Sequence, residues 1–224
     1  MTLTTDSTVK RRNGRRAPDE VRGLILKAAD RLFSTQGYHA TPTRQIADEA
    51  GVGESVLFRN FGSKAELFET TILTPFSEFV DEWATTWDAK TTAATDPTRV
   101  AEAFVKGFYN LADEHRELLL TLVAARINGA DPGLAEVAQR VSGKLANNLG
   151  VVRRVLLEHG EARHFRDVDA PVTVAVSVGS VLSLVLLDDW LFSSSQRRPG
   201  KARQINEATQ MLLYGVTGPS GAQV

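Results

Sequence analysis

Cysteine is absent from the 224-residue chain, which excludes disulfides, thiolate metal ligands and a cysteine nucleophile. The first twenty residues hold no apolar run of signal-peptide length, and Lys10, Arg11, Arg12, Arg15 and Arg16 occupy the stretch where one would lie. Secretion is therefore not expected, and a cytoplasmic location is. The uncharged segment Val172 to Leu187 falls short of the roughly 20 residues that a membrane span requires. Its β-branched composition raises a strand as an alternative, but a helix buried on most of its circumference, in a core or a subunit interface, accounts for it better. Glycine-rich phosphate loops, a zinc-binding histidine pair and any solenoid-length repeat are also missing. Glu161 and His164 form a single Glu-x-x-His, half of a di-iron arrangement whose second copy is absent, and His39, His115 and His159 stand alone. Neither catalysis, a metal nor a cofactor is expected.

What is present is the balance of an ordinary globular protein, 42% hydrophobic and 24% charged. The net charge of −1 hides an asymmetry. Residues 1–67 carry eleven Lys or Arg against eight Asp or Glu, and the remainder carries fifteen against nineteen. A basic end on a slightly acidic body suits a polyanionic partner at that end.

Apolar residues at Val21, Leu24, Ile25, Ala28, Ala29, Leu32 and Phe33 predict an amphipathic helix, started by Pro18 and stopped by Gly37. Two short helices follow, Thr43 to Ala50 and Glu54 to Asn60, separated by Gly51, Val52 and Gly53. Neither is long enough to stand alone, so Ile46, Ala47, Val52, Leu57 and Phe61 must pack on the first helix. Ser63 and Glu66 form a capping box that starts the next helix at Lys64. That helix meets Pro75, where it either kinks or breaks, with Thr74 capping a new segment. Further helices are expected at Pro97 to Ala112, Glu114 to Ile127, Gly133 to His159, Ala170 to Phe192 and Lys201 to Tyr214. The fold class is all-α with about nine helices: a basic disordered arm at 1–17, a three-helix unit at 18–64, a larger helical domain at 65–216 and a disordered tail at 217–224.

The stretch from Gly37 to Lys64 resembles the tetracycline-repressor family of bacterial regulators. The resemblance rests on Gly37, Tyr38, Thr41, Thr43, Ile46, Ala47, Ala50, Gly51, Val52, Leu57, Phe58, Phe61, Ser63 and Lys64, and covers residues 20–67 closely. It implies a helix-turn-helix whose short second helix enters the major groove of operator DNA. The candidate DNA-binding residues are Thr43, Arg44, Gly53, Glu54, Ser55, Phe58, Arg59, Asn60 and Lys64. Arginine and asparagine pair with guanine and adenine edges, while threonine, lysine and helix N-termini suit phosphates. Three positions depart from the family pattern: Gly53 stands where a capping serine is usual, Ser55 where glycine is usual, and Phe58 where tyrosine is frequent. Glu54 either accepts from a cytosine amino group or points away and serves the helix dipole. Tyr38, Phe58 and Phe61 are also read as packing residues of the three-helix core. Lys10 to Arg16 either reach the minor groove or form a solvated tail.

The resemblance further implies a homodimer formed through the last two helices and a ligand pocket in the C-terminal domain. Candidate ligand-binding residues are Phe79, Trp83, Phe104, Phe108, Leu122 and Arg126, with Trp87 and Tyr109 nearby, and they favour an apolar small-molecule effector. The expected function is that of a transcriptional repressor released from a palindromic operator by this ligand. The competing reading is an effector-independent or architectural DNA-binding protein, which predicts a filled helical core in place of a cavity.

Overall fold

The computed structural model describes residues 17–88, 95–128, 131–163, 169–192 and 197–217; the basic segment Lys10 to Arg16, His164 and residues 218–224 lie outside them. Among the described residues the regular secondary structure is entirely α-helical: α1 (Pro18–Gln36), α2 (Thr43–Ala50), α3 (Glu54–Phe61), α4 (Lys64–Thr86), α5 (Pro97–Glu114), α6 (Arg116–Asn128), α7 (Pro132–Arg163), α8 (Ala170–Leu186), α9 (Asp188–Leu191) and α10 (Lys201–Thr217). The all-α class and the order of the long helices are as the sequence predicts.

The tenth helix comes from a boundary that the sequence does not reveal. The predicted helix from Ala170 to Phe192 stops at Leu186, and a single turn, α9, restarts at Asp188. Arg116 causes the stop. Its Nε donates to the Val185 carbonyl at 3.1 Å and its Nη2 to the Leu186 carbonyl at 3.4 Å, which satisfies carbonyls that a continuing helix would have used. Asp188 and Asp189 then favour the positive end of the new turn.

The side chains divide into two cores. The first gathers Ile25, Leu32 and Phe33 of α1, Ile46 of α2, Leu57 and Phe61 of α3 and Leu67, Phe68 and Ile72 of α4. It also includes Leu118 and Leu122 of α6 and Val137 and Val141 of α7. The second holds Phe76, Val80 and Trp83 of α4, Phe104 and Phe108 of α5, Val152 and Val155 of α7, and the buried faces of α8 and α10. Both α4 and α7 therefore belong to both cores, and Pro75 marks the crossing on α4.

The helix runs unbroken through Pro75 from Lys64 to Thr86, so Thr74 does not cap a second helix there. Bonds to α7 on either side of the proline pin both halves. Glu69, its side chain only 7% exposed, accepts from Arg140 Nε and Lys144 Nζ of α7, each at 2.7 Å. Asn148 Nδ2 of α7 donates to Ser77 Oγ at 2.8 Å. Burial works to raise the Glu69 pKa, but the hydrogen bonds and charges of the two cations outweigh it and hold the carboxyl below its ordinary value. Gly107 allows a second close approach: a Cβ there would lie 2.3 Å from Phe79 Cε2, so α5 meets a ring of α4 where any side chain would collide. A mid-helix glycine, ordinarily unfavourable by about 1 kcal/mol relative to alanine, is explained by that contact.

His115, at the end of α5, joins the body to α1. Its Nδ1 donates to Asp30 Oδ1 at 2.9 Å, and the ring is buried. Burial lowers the imidazole pKa, but the bond to Asp30 and the charges of Asp30 and Glu114 outweigh it, so the net direction is upward. A group whose folded pKa exceeds its unfolded value contributes stability that is complete below the unfolded pKa and fades as pH rises through the folded one. The stability lost in Asp30→Asn should therefore be larger at about pH 6 than at about pH 8, measured as a shift in urea midpoint. A loss equal at both pH values would show that the ring stays neutral throughout.

Candidate nucleic-acid interface and ligand cavity

The turn between α2 and α3 is fixed by backbone. Gly51 adopts the left-handed conformation, φ 65° and ψ 40°, and its N–H closes on the last turn of α2; Val52 N then donates to Ala47 O at 3.0 Å. Gly53 caps α3 without a side-chain bond. Ser63 does cap α4, its Oγ accepting from Glu66 N at 3.1 Å. Thr41 is fully buried and donates to the Gly37 carbonyl at 2.7 Å, so this residue of the motif serves the end of α1. Arg31 of α1 pairs with Glu49 of α2. These contacts hold α2 and α3 against α1.

The outer face of α2 and α3 carries the candidate residues. Arg44 is 83% exposed and touches Asp48 only loosely, at 4.0 Å. Ser55 and Arg59 are exposed. Thr43 Oγ1 donates to Glu54 Oε1 at 2.5 Å, so the carboxylate bridges the N-termini of α2 and α3, where both helix dipoles favour negative charge. Asn60 is half-buried, and its Nδ2 donates to the Val56 carbonyl of its own helix at 2.7 Å. Lys64 Nζ lies 4.5 Å from the centre of the Tyr38 ring, and burial lowers its pKa.

Phe58 corrects one packing expectation. Phe61 and Tyr38 join the first core, but Phe58 is 40% exposed. The buried stripe of α3 is Leu57 and Phe61, one turn apart, and a residue adjacent to Leu57 lies about 100° round the helix. Arg22, which the sequence does not single out, supports this face from α1. Its Nη1 donates to the Asn60 carbonyl at 3.0 Å and its guanidinium lies 4.4 Å from the Phe61 ring centre.

A separate cavity of about 110 Å³ opens in the second core. Trp83 of α4, Val100 and Phe104 of α5, Val155 and His159 of α7, Val174 and Ser177 of α8 and Leu212 of α10 line it. Phe104 meets Trp83 edge-on with ring centres 5.1 Å apart and lies 5.9 Å from Phe79. Phe79 and Phe108 back Phe104 without lining the space. Leu122 and Arg126 do not belong here: Leu122 packs in the first core, and Arg126 is exposed on α6. Helix α6 turns its apolar face toward α1 and α7, which an apolar spacing alone cannot reveal.

Residues 25–71 match the family described as "Bacterial regulatory proteins, tetR family". Over this N-terminal segment the chain is similar to the tetR family. It is 36% identical over 103 residues to the HTH-type transcriptional activator FasR of Mycolicibacterium smegmatis, a match spanning 46% of this chain and 45% of that protein. The chain thus spans less than half the length of this relative. A longer match, 24% identical over 64% of this chain and 72% of the other, is to the fatty acid metabolism regulator protein of Bacillus subtilis. In fold it is similar to the fatty acid degradation regulator FadR from Bacillus halodurans, with a TM-score of 0.66 and 18% identity over 90% of this chain and 97% of that one. The family match ends within α4, beyond the capping box at Ser63 and close to where α4 passes from the first core to the second. Among the described residues no helix is long and apolar enough to cross a membrane.

Proposed function

We propose that this chain is a cytoplasmic transcriptional regulator of the tetR family, a repressor that binds a palindromic operator and leaves it when a small apolar ligand enters the C-terminal domain. The exposed pair Arg44 and Arg59, carried on two short helices whose backbones are fixed against α1, is the observation that supports the DNA-binding reading most strongly. Arg59 faces base edges, Arg44, Thr43 and Lys64 face the backbone, and the amides at Gly53, Glu54 and Ser55 present the N-terminus of α3 to a phosphate. Phe58 supplies apolar contact at the same surface. Asn60, turned onto its own helix, is the weakest of the base-reading candidates, and Glu54 serves Thr43 in place of a cytosine.

Homodimerisation is supported by exposed apolar residues on α8, α9 and α10, notably Val172, Val176, Trp190, Met211 and Tyr214. Such a surface is costly to leave in water. Two recognition helices then meet successive major grooves about 34 to 36 Å apart. The cavity favours effector control over the effector-independent reading, which calls for a filled core. Its small volume means that a ligand must widen it, and Phe104 presses directly on Trp83 and Phe79 of α4. The regulators of fatty acid metabolism and degradation among the relatives support an apolar effector.

The test is selection of bound sequences from a random DNA pool with the purified protein, followed by a footprint and a salt titration. A short inverted repeat bound two chains at a time is the expected outcome. Recovery of no preferred sequence, with only weak and strongly salt-dependent binding, would overturn the operator reading.

A further inference from the structure

The lining of the cavity contains no Lys, Arg, Asp or Glu. Most of its polar groups are already engaged. Ser177 Oγ donates to the Thr173 carbonyl at 2.7 Å, and His159 Nε2 donates to the Trp87 carbonyl at 2.6 Å. Trp83 differs. Its side chain is buried, with the residue 8% exposed, and Nε1 has no hydrogen-bond partner in the protein. The other buried side-chain atom without a partner among the described residues is Ser34 Oγ on α1, a hydroxyl that rotates freely and both donates and accepts. An indole N–H only donates, in one fixed direction, and a buried tryptophan ordinarily finds an acceptor.

These two facts constrain what enters. A charge carried into this space would lose its hydration with no counter-charge to meet, the least favourable kind of burial. An acceptor that reaches Nε1 regains a hydrogen bond that the unliganded protein forgoes. We infer that the cavity takes a neutral, apolar molecule carrying one carbonyl- or ether-type oxygen, that this oxygen accepts from Trp83 Nε1, and that any ionised group of the ligand stays outside. The inference rests on the cavity being the effector site. Trp83 is then a specificity residue, and because it sits on α4 beside Phe104, the same contact reports occupancy to the helix that enters the DNA-binding core.

The experiment uses the full chain and three probes of similar size: toluene, acetophenone and benzoate, titrated calorimetrically. Acetophenone should bind the wild type about ten-fold more tightly than toluene, the effect of one buried hydrogen bond, and benzoate more weakly than either. Trp83→Phe should abolish the preference for acetophenone over toluene, whatever its effect on the affinity for both. Independently, the Trp83 indole N–H resonance of the wild type, assigned with Trp87→Phe and Trp190→Phe, should move downfield with acetophenone and not with toluene. This readout holds even if Trp83→Phe fails to fold. A ketone preference that survives Trp83→Phe, an unmoved indole resonance, or benzoate as the tightest probe would overturn the assignment of Trp83. Filling the space with Ala101→Trp separates the underlying reading. Loss of all binding places the probes in the cavity, whereas unchanged affinities would overturn the cavity as the effector site, as would failure of all three to bind the wild type.

Discussion

Replacing Arg44 and Arg59 together by alanine should weaken operator binding by about a hundred-fold or more without lowering the melting temperature. Each well-placed arginine contributes roughly 1–3 kcal/mol to DNA recognition, and a hundred-fold loss corresponds to about 2.8 kcal/mol. Both side chains are exposed, and Arg44 has only a 4.0 Å approach to Asp48 to lose. Fluorescence anisotropy with the selected operator at fixed salt provides the measurement. The single variants separate the roles: Arg59→Ala should relax sequence preference at one base pair, and Arg44→Ala should weaken all sequences alike and flatten the salt slope. Wild-type affinity in the double variant would remove α2 and α3 from the interface.

The second large effect concerns stability. Phe68→Ala should cost about 3–5 kcal/mol, the usual range for deleting a buried aromatic ring. Phe68 is completely buried, meets Phe33 with ring centres 5.1 Å apart and meets Tyr38 at 4.9 Å. Against a total of roughly 5–15 kcal/mol for a typical domain, that loss leaves little margin. Urea unfolding followed by circular dichroism should show a lower midpoint. A loss under about 1 kcal/mol would mean that Tyr38 and Leu67 refill the space.

The residues that announced the N-terminal unit are those whose backbone needs are local. Gly51 is required where the chain turns left-handed, Ser63 and Glu66 sit one capping distance apart, and the spacing from Val21 to Phe33 defines one face of α1. None of these depends on a distant partner. Most of the misread positions do. Leu122 has the right polarity for a pocket, but which helix it meets is set by the packing of α6 on α1. Phe58 lies beside Leu57 in sequence and on another face in space. The end of α8 is set by Arg116, 69 residues upstream of Val185, and the interior glycine at 107 is explained only by a ring of α4. His115 and Asp30, 85 residues apart, carry no mutual signal at all in one sequence.

The sharing of α4 and α7 between two cores bears on how such a protein is recombined. A hybrid regulator spliced at Ser63 would graft three helices onto a foreign fourth and lose Leu67, Phe68 and Ile72, the floor on which those helices rest. Splicing at Pro75 carries that floor along, but it must bring a compatible α6 and the first half of α7 from the same parent. Under the proposed function, a change of effector specificity is therefore made more simply by substitutions within the second core than by the wholesale trading of domains.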